Sequence, residues 1–211
     1  LRALGALYPE TVQLITRADF NINSVRALKG KSISSGAPGS GQDQLLTDLL
    51  KVHGMSRADV KEDLSSFTQA VDKIKDGNLH ATLITAGVPT SAVTDFAQSH
   101  ALKVIPLTGP EIAELQKQQP YYASVPLPAN TYKGQAAAVP TLAVMAVWTT
   151  HDAVPDNVAY EVTKALYENV AIMGQVHAQG KNISLTTALA VGTAPMHPGA
   201  LKYFKEMGVA K

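Results

Sequence analysis

The stretch SISSGAPGSGQDQ, Ser32 to Gln44, runs from a short apolar-polar alternation into a glycine-rich turn and then into a helical pattern. KSISS reads as a strand. GQDQLLTDLLKVHG reads as a helix, with Leu45, Leu46, Leu49 and Leu50 on one face and Gly54 as its stop. Strand, tight turn and helix in that order form half of a βαβ unit, and the same order recurs on either side. Downstream, VKEDLSS is a strand and FTQAVDKIKDGN a helix with Phe67, Ala70, Val71 and Ile74 inward. ATLITA, an unbroken apolar run at 81–86, reads as a strand buried on both faces, and GVPTSAVTDFAQSH as a helix with Pro89 near its first turn. LKVIPLT adds another strand. Upstream, TVQLITR is β-branched and apolar, and Ser24 caps a short helix that Gly30 closes. Strands alternating with helices predict an α/β fold with a mainly parallel sheet.

The pattern loosens from about residue 106 to 140 into a helix followed by a long connection rich in Pro, Gln, Tyr and Gly. PTLAVMAVWTT, 140–150, resumes as a long strand. DNVAYEVTKALYENVAIMGQVH is expected to be one amphipathic helix burying Val158, Val162, Ala165, Leu166 and Val170. PMHPGALKYFKEMGVAK closes the chain as a loop and a terminal helix.

Composition narrows the function. The 211 residues are 45% hydrophobic and 17% charged, with a formal charge of +1 and no basic run interleaved with aromatics, which argues against nucleic acid as a partner. The longest apolar run, AAAVPTLAVMAVW, is broken by Pro140 and falls short of the roughly 20 residues a membrane-spanning helix needs. With no cysteine, disulfides, thiolate metal sites and a Cys nucleophile are excluded, a composition that suits an oxidising compartment. The six histidines, at 53, 80, 100, 151, 177 and 197, show no metal-ligand spacing, so no metal and no cofactor are expected.

Gly36 and Gly41 have the spacing of a phosphate-binding loop, but Gln42 and Asp43 stand where such a loop carries Lys and a hydroxyl residue. The dinucleotide fingerprint fails as well, at Pro38 or at Gln44 according to the starting glycine. Ser40 has glycines directly on either side, which is not the spacing of a serine-hydrolase elbow. Two readings stay open. Ser40 and Asp43 form a capping box on a tight turn, or the exposed amides at the helix start bind a small anion such as a carboxylate. A second strand-to-helix junction, ITAGVPTS, has the same form, and in an open parallel sheet both face one crevice at the carboxyl edge.

The segments LRALGALYPETVQLITRAD, SVRALKGKSISSGAPGSG, ITAGVPTSAVTDFA, TYKGQ and MHPGALKYFKEMGV, in this order, resemble the solute receptors of TRAP transporters of the TAXI type. The resemblance implies a type II periplasmic-binding-protein fold of two α/β lobes with mainly parallel sheets, the first lobe incomplete in this chain. It implies that residues 1–17 are a remnant of the first lobe with a crossing strand, 18–140 the second lobe, and 141–211 the return strand and C-terminal helices of the first. Family members carry a signal peptide and a further first-lobe segment ahead of the point matching Leu1. The implied function is periplasmic and non-enzymatic. A small carboxylate, such as glutamate or a dicarboxylate, binds between the lobes and is handed to TRAP transporter membrane subunits, the receptor being a monomer. Carried over residue by residue, the ligand-binding set is Gly39, Ser40, Gly41 and Gln42 at one helix start and Thr85, Ala86 and Gly87 at the other. Ser40 and Thr85 are expected to donate from their hydroxyls and the glycines from their amides. Gln42 departs from the hydroxyl residue many members have after GSG, which alters the local donors. Arg17 is read as an ion pair to Asp19 or another surface acid ahead of a bidentate contact to a solute carboxylate, Tyr132 either closes over a ligand or packs at a core edge, and Tyr121, Tyr122 and Trp148 pack. The alternative function is the effector-binding domain of a transcription regulator with the same fold; an enzyme lacks any paired acid and base to support it.

Overall fold

The structure is a computed structural model describing residues 1–211, and it divides into two compact units, Thr11–Val144 and Leu1–Glu10 with Met145–Lys211. The division falls inside two long strands, β1 (Arg2–Arg17) and β7 (Val139–Thr150). No helix is long and apolar enough to cross a membrane.

In the unit 11–144, β2 (Ser32–Ser34) pairs in parallel with β3 (Lys61–Asp63) and with β4 (Ala81–Ala86). β1 runs antiparallel to β4, from Thr11 opposite Ala86 to Thr16 opposite Ala81, and antiparallel to β5 (Leu102–Ile105). The four strands that lead into helices therefore share one direction, as strand-helix alternation requires. The sheet runs β3-β2-β4-β1-β7-β6 with β5 also on β1, and β6 (Ala123–Leu127) forms one edge. This edge strand lies within the stretch whose composition reads as a long connection. Its ASVPL sequence places Pro126 opposite Pro140 in the antiparallel pair with β7, a residue type that sheets admit mainly at edges and bulges.

Helices α1 (Gly41–Val52), α2 (Phe67–Lys75), α3 (Ser91–Ser99) and α4 (Pro110–Gln118) complete this unit. The four leucines of α1 are buried with Val12, Leu14, Ile33, Ala81 and Leu83, while Ala70, Val71 and Ile74 of α2 and Phe96 of α3 pack with Ile15 and Ile84. β4 thus buries both faces, which accounts for the unbroken apolar run of its sequence. Burying each of the Val, Leu, Ile and Phe side chains among them contributes about 1.5–3 kcal/mol.

At the amino end of β4, His80 is fixed against the start of β2. Its Nδ1 accepts from the Ser32 amide at 3.3 Å and lies 2.7 Å from the Ser32 hydroxyl, and its carbonyl accepts from the Thr16 hydroxyl at 2.7 Å. Burial first, and then Lys31 and Lys61, lower the imidazole pKa from the ordinary 6.5. The unfolded chain thus binds this proton more readily than the folded one. The stabilisation is complete above pH 6.5 and is lost as pH falls through that value towards the lower folded pKa. Denaturant midpoints are expected to drop between pH 7 and 5, and His80→Gln is expected to flatten that part of the profile.

In the second unit, α5 (Asp156–Glu168), α6 (Val170–Val176) and α7 (Pro198–Glu206) accompany the outer halves of β1 and β7. The single long helix expected here is divided at Asn169, and its buried face is different. Ala159, Thr163 and Tyr167 are inside, whereas Val158 and Val162 are 44% and 37% exposed. The cause is close helix contact: a Cβ on Gly199 of α7 would collide with the Asp156 carbonyl and the Tyr160 amide. His197 is a satisfied core histidine that caps α7, its Nδ1 accepting from the Gly199 amide at 3.2 Å.

Candidate functional site

The parallel register, Ile33 opposite Ala81 and Ser34 opposite Thr82, points the carboxyl ends of β2 and β4 the same way, with β2 ending beside Thr82 and β4 running on to Ala86. The β2–α1 turn and the β4–α3 turn therefore leave the same edge of the sheet. β1 brings Thr11 and Gln13 to that edge from the opposite direction.

Gly36 and Gly39 have φ of +80° and +73°, backbone values that favour glycine, so the turn after β2 requires them. Ser40 is the N-cap of α1, its hydroxyl oxygen accepting from the Asp43 amide at 3.2 Å. The return half of the expected capping box is shifted by one residue. Asp43 accepts from the Gly39 amide at 2.8 Å, while the Ser40 amide donates to the Ala37 carbonyl at 3.1 Å. The other Asp43 oxygen accepts from the Ser35 hydroxyl at 3.3 Å and from Arg57 at 2.5 Å, and Arg57 also reaches Glu62 at 2.9 Å. The Gly39 amide, and after it Arg57, hold the Asp43 carboxyl below the usual carboxylate range, so it is ionised. The Gly39 amide expected to meet a solute is consequently occupied by the chain's own carboxylate. The Gly41 and Gln42 amides, the first two of α1, have no acceptor in the chain.

Gln42 donates from its side chain to the Leu83 carbonyl at 2.7 Å, tying the first turn of α1 to β4 two residues before Thr85. Leu83 and Thr85 share a face by strand alternation, and Leu83 packs with the α1 leucines, so the Thr85 side chain lies on the α1 side. Its hydroxyl oxygen is buried and has no hydrogen-bond partner. Ala86 packs on the opposite face, with the α2–α3 cluster, and Gly87 accepts from the Thr90 hydroxyl at 2.9 Å. Of the residues expected at the site, Ser40, Gly41, Gln42 and Thr85 gather at one sheet edge. Gly39 and Ala86 serve the framework. Pro89, expected near the first turn of α3, precedes the N-cap Thr90 and follows a cis peptide bond.

Tyr132 is 3% exposed and its hydroxyl donates to Gln13 Oε1 at 2.5 Å and accepts from the Thr90 amide at 2.9 Å. Gln13 Nε2 in turn donates to the Thr90 hydroxyl at 2.9 Å, closing a network around the β4–α3 turn. Burial raises the Tyr132 phenol pKa, which keeps the donor proton in place. Tyr132 thus anchors this turn. The signal in the sequence is Gln13, an amide inside the apolar strand TVQLITR, because a buried amide requires partners. Arg17 lies at the other end of β1, paired to Asp19 at 2.5 Å and donating to the Lys75 carbonyl at 3.1 Å. Tyr122 is buried and Trp148 half-buried against the second unit's core, while Tyr121 is 54% exposed against the Tyr122 ring.

A model of the NMT1-like family matches residues 1–208. The chain belongs to the NMT1-like family. Solved structures similar to this NMT1-like chain include the periplasmic aliphatic sulphonate binding protein SsuA from Escherichia coli, at 15% identity and TM-score 0.43 over 99% of this chain and 51% of that one. Others are a putative L-cystine ABC transporter from Listeria monocytogenes, at 16% and 0.45 over 87% and 64%, and a Bordetella bronchiseptica RB50 protein, at 18% and 0.49 over 100% and 66%. The chain spans about half the length of the E. coli protein.

Proposed function

We propose that this NMT1-like chain supplies the solute-gripping sheet edge of a periplasmic receptor with a type II binding-protein fold, serving a TRAP-type transporter of the TAXI class. The observation that carries the reading is the cluster of unclaimed donors where two strand-to-helix turns meet. The Gly41 and Gln42 amides have no acceptor, and the Thr85 hydroxyl is buried without a partner. A buried hydroxyl without a partner costs free energy unless something arrives to pair with it. The ordered sequence segments that resemble TAXI receptors support the transporter class and a small solute carrying a carboxylate, such as glutamate or a dicarboxylate, and a donor-rich edge suits the oxygens of such a solute. The set Ser40, Gly41, Gln42, Thr85 and Gly87 forms the grip. Handing over the solute to membrane subunits requires that binding be reversible and that no bond of the solute change. Native mass spectrometry of the monomeric chain is expected to show an adduct of small-solute mass that departs on denaturation. Bare-chain mass in every preparation, together with no response to amino acids and dicarboxylates, contradicts the reading.

A further inference from the structure

We propose that Asp43 is a specificity-determining residue that keeps an anionic group away from the α1 start, so that this end of the site accepts a neutral oxygen of the solute and its carboxylate is held elsewhere on the edge. The inference rests on the placement of the site given above and refines the orientation of what binds there.

A helix start with free amides attracts anions because the amide hydrogens and the helix dipole both present positive charge. Here that attraction is met from within. The Asp43 carboxylate accepts from the Gly39 amide and the Ser35 hydroxyl, and it sits in the first turn of the helix whose dipole it offsets. Arg57 does not cancel its charge, since the guanidinium is shared with Glu62 at 2.9 Å, leaving two carboxylates to one cation. Arg57 also donates to the Thr47 hydroxyl at 2.8 Å and to the Asp43 carbonyl at 2.5 Å, which fixes the group to α1. A second carboxylate at the Gly41 and Gln42 amides would lie beside Asp43 and be repelled. A carbonyl, amide or hydroxyl oxygen would still find those amides. On the α1-facing side of β4, two residues beyond the Leu83 carbonyl that holds the Gln42 side chain, the Thr85 hydroxyl is buried and unpartnered, a group that a ligand atom would satisfy.

The test is amide nitrogen-proton NMR of the whole chain titrated with acetate and, separately, acetamide. In the wild type, acetate is expected to leave the Gly41 and Gln42 amides unmoved while acetamide shifts them. In Asp43→Asn, which retains an oxygen for the Gly39 amide, acetate is expected to shift both in a saturable way. Asp43→Ser supplies the same comparison should Asn impair folding, and Arg57→Gln is expected to remain unresponsive to acetate. Saturable acetate shifts in the wild type, or none in a folded Asp43 variant, overturn the proposal. Failure of the solute reading is a separate result: no panel solute binds although the acetate contrast stands.

Discussion

Replacing Tyr132 by Phe is expected to lower the stability of the chain by about 2–3 kcal/mol and to loosen the β4–α3 turn. The ring stays, so packing is preserved and only the oxygen is lost. That oxygen serves two groups at once, donating to Gln13 Oε1 and accepting from the Thr90 amide. Gln13 is fully buried, so its oxygen is left without a donor where water cannot substitute, and leaving such a group unsatisfied costs about 1–3 kcal/mol. The check is urea denaturation of the single variants Tyr132→Phe and Gln13→Leu and of the double variant. A double variant less destabilised than the two single losses added together is the expected signature of direct coupling. Hydrogen exchange at the Thr90 amide is expected to accelerate in Tyr132→Phe beyond the change at α1. Additive losses with unchanged Thr90 exchange would show that the network does not hold the turn.

The contrast between this network and the α1 turn shows what a sequence can disclose. The β2–α1 junction is legible because its determinants are local: two glycines at positive φ, an N-cap serine and four leucines at helical spacing lie within a short stretch. The parallel direction of β2 to β5 follows from strand-helix alternation. The partners of Asp43 are not legible, because Arg57 reaches it from 14 residues along the chain and is itself shared with Glu62, and the shift from Ser40 to Gly39 depends on how the glycine turn bends. The α5 face departs from its hydrophobic pattern for a related reason. Hydrophobicity favours Val158 and Val162, yet Gly199 lets α7 come so close that small residues, Ala159 and Thr163, are the ones that fit. Thr163 can be buried there because its hydroxyl donates to the Ala159 carbonyl at 2.7 Å. Tyr132 lies far from Gln13 along the chain, so only the solitary buried amide hints at the network.

Thr85 separates function from framework more sharply than any other residue at the edge. Its hydroxyl has no partner within the chain, so Thr85→Val, close in shape, removes an unsatisfied polar atom and is expected to leave stability unchanged or raise it by about 0.5–1 kcal/mol. If the same hydroxyl donates to a bound solute, the substitution is expected to weaken binding about tenfold, equivalent to about 1.4 kcal/mol. Opposite signs in stability and affinity are the mark of a group kept for its ligand. A structural threonine would lose both together.

The most direct measurement is therefore calorimetric titration of the whole wild-type chain and of Thr85→Val with a panel of amino acids and dicarboxylates, alongside their thermal unfolding. Saturable binding of at least one panel solute, weakened about tenfold in a Thr85→Val variant that unfolds at the same or a higher temperature, is the predicted result. No binding by the wild type, or binding of equal strength in the two proteins, would contradict the assignment of this sheet edge as the solute site.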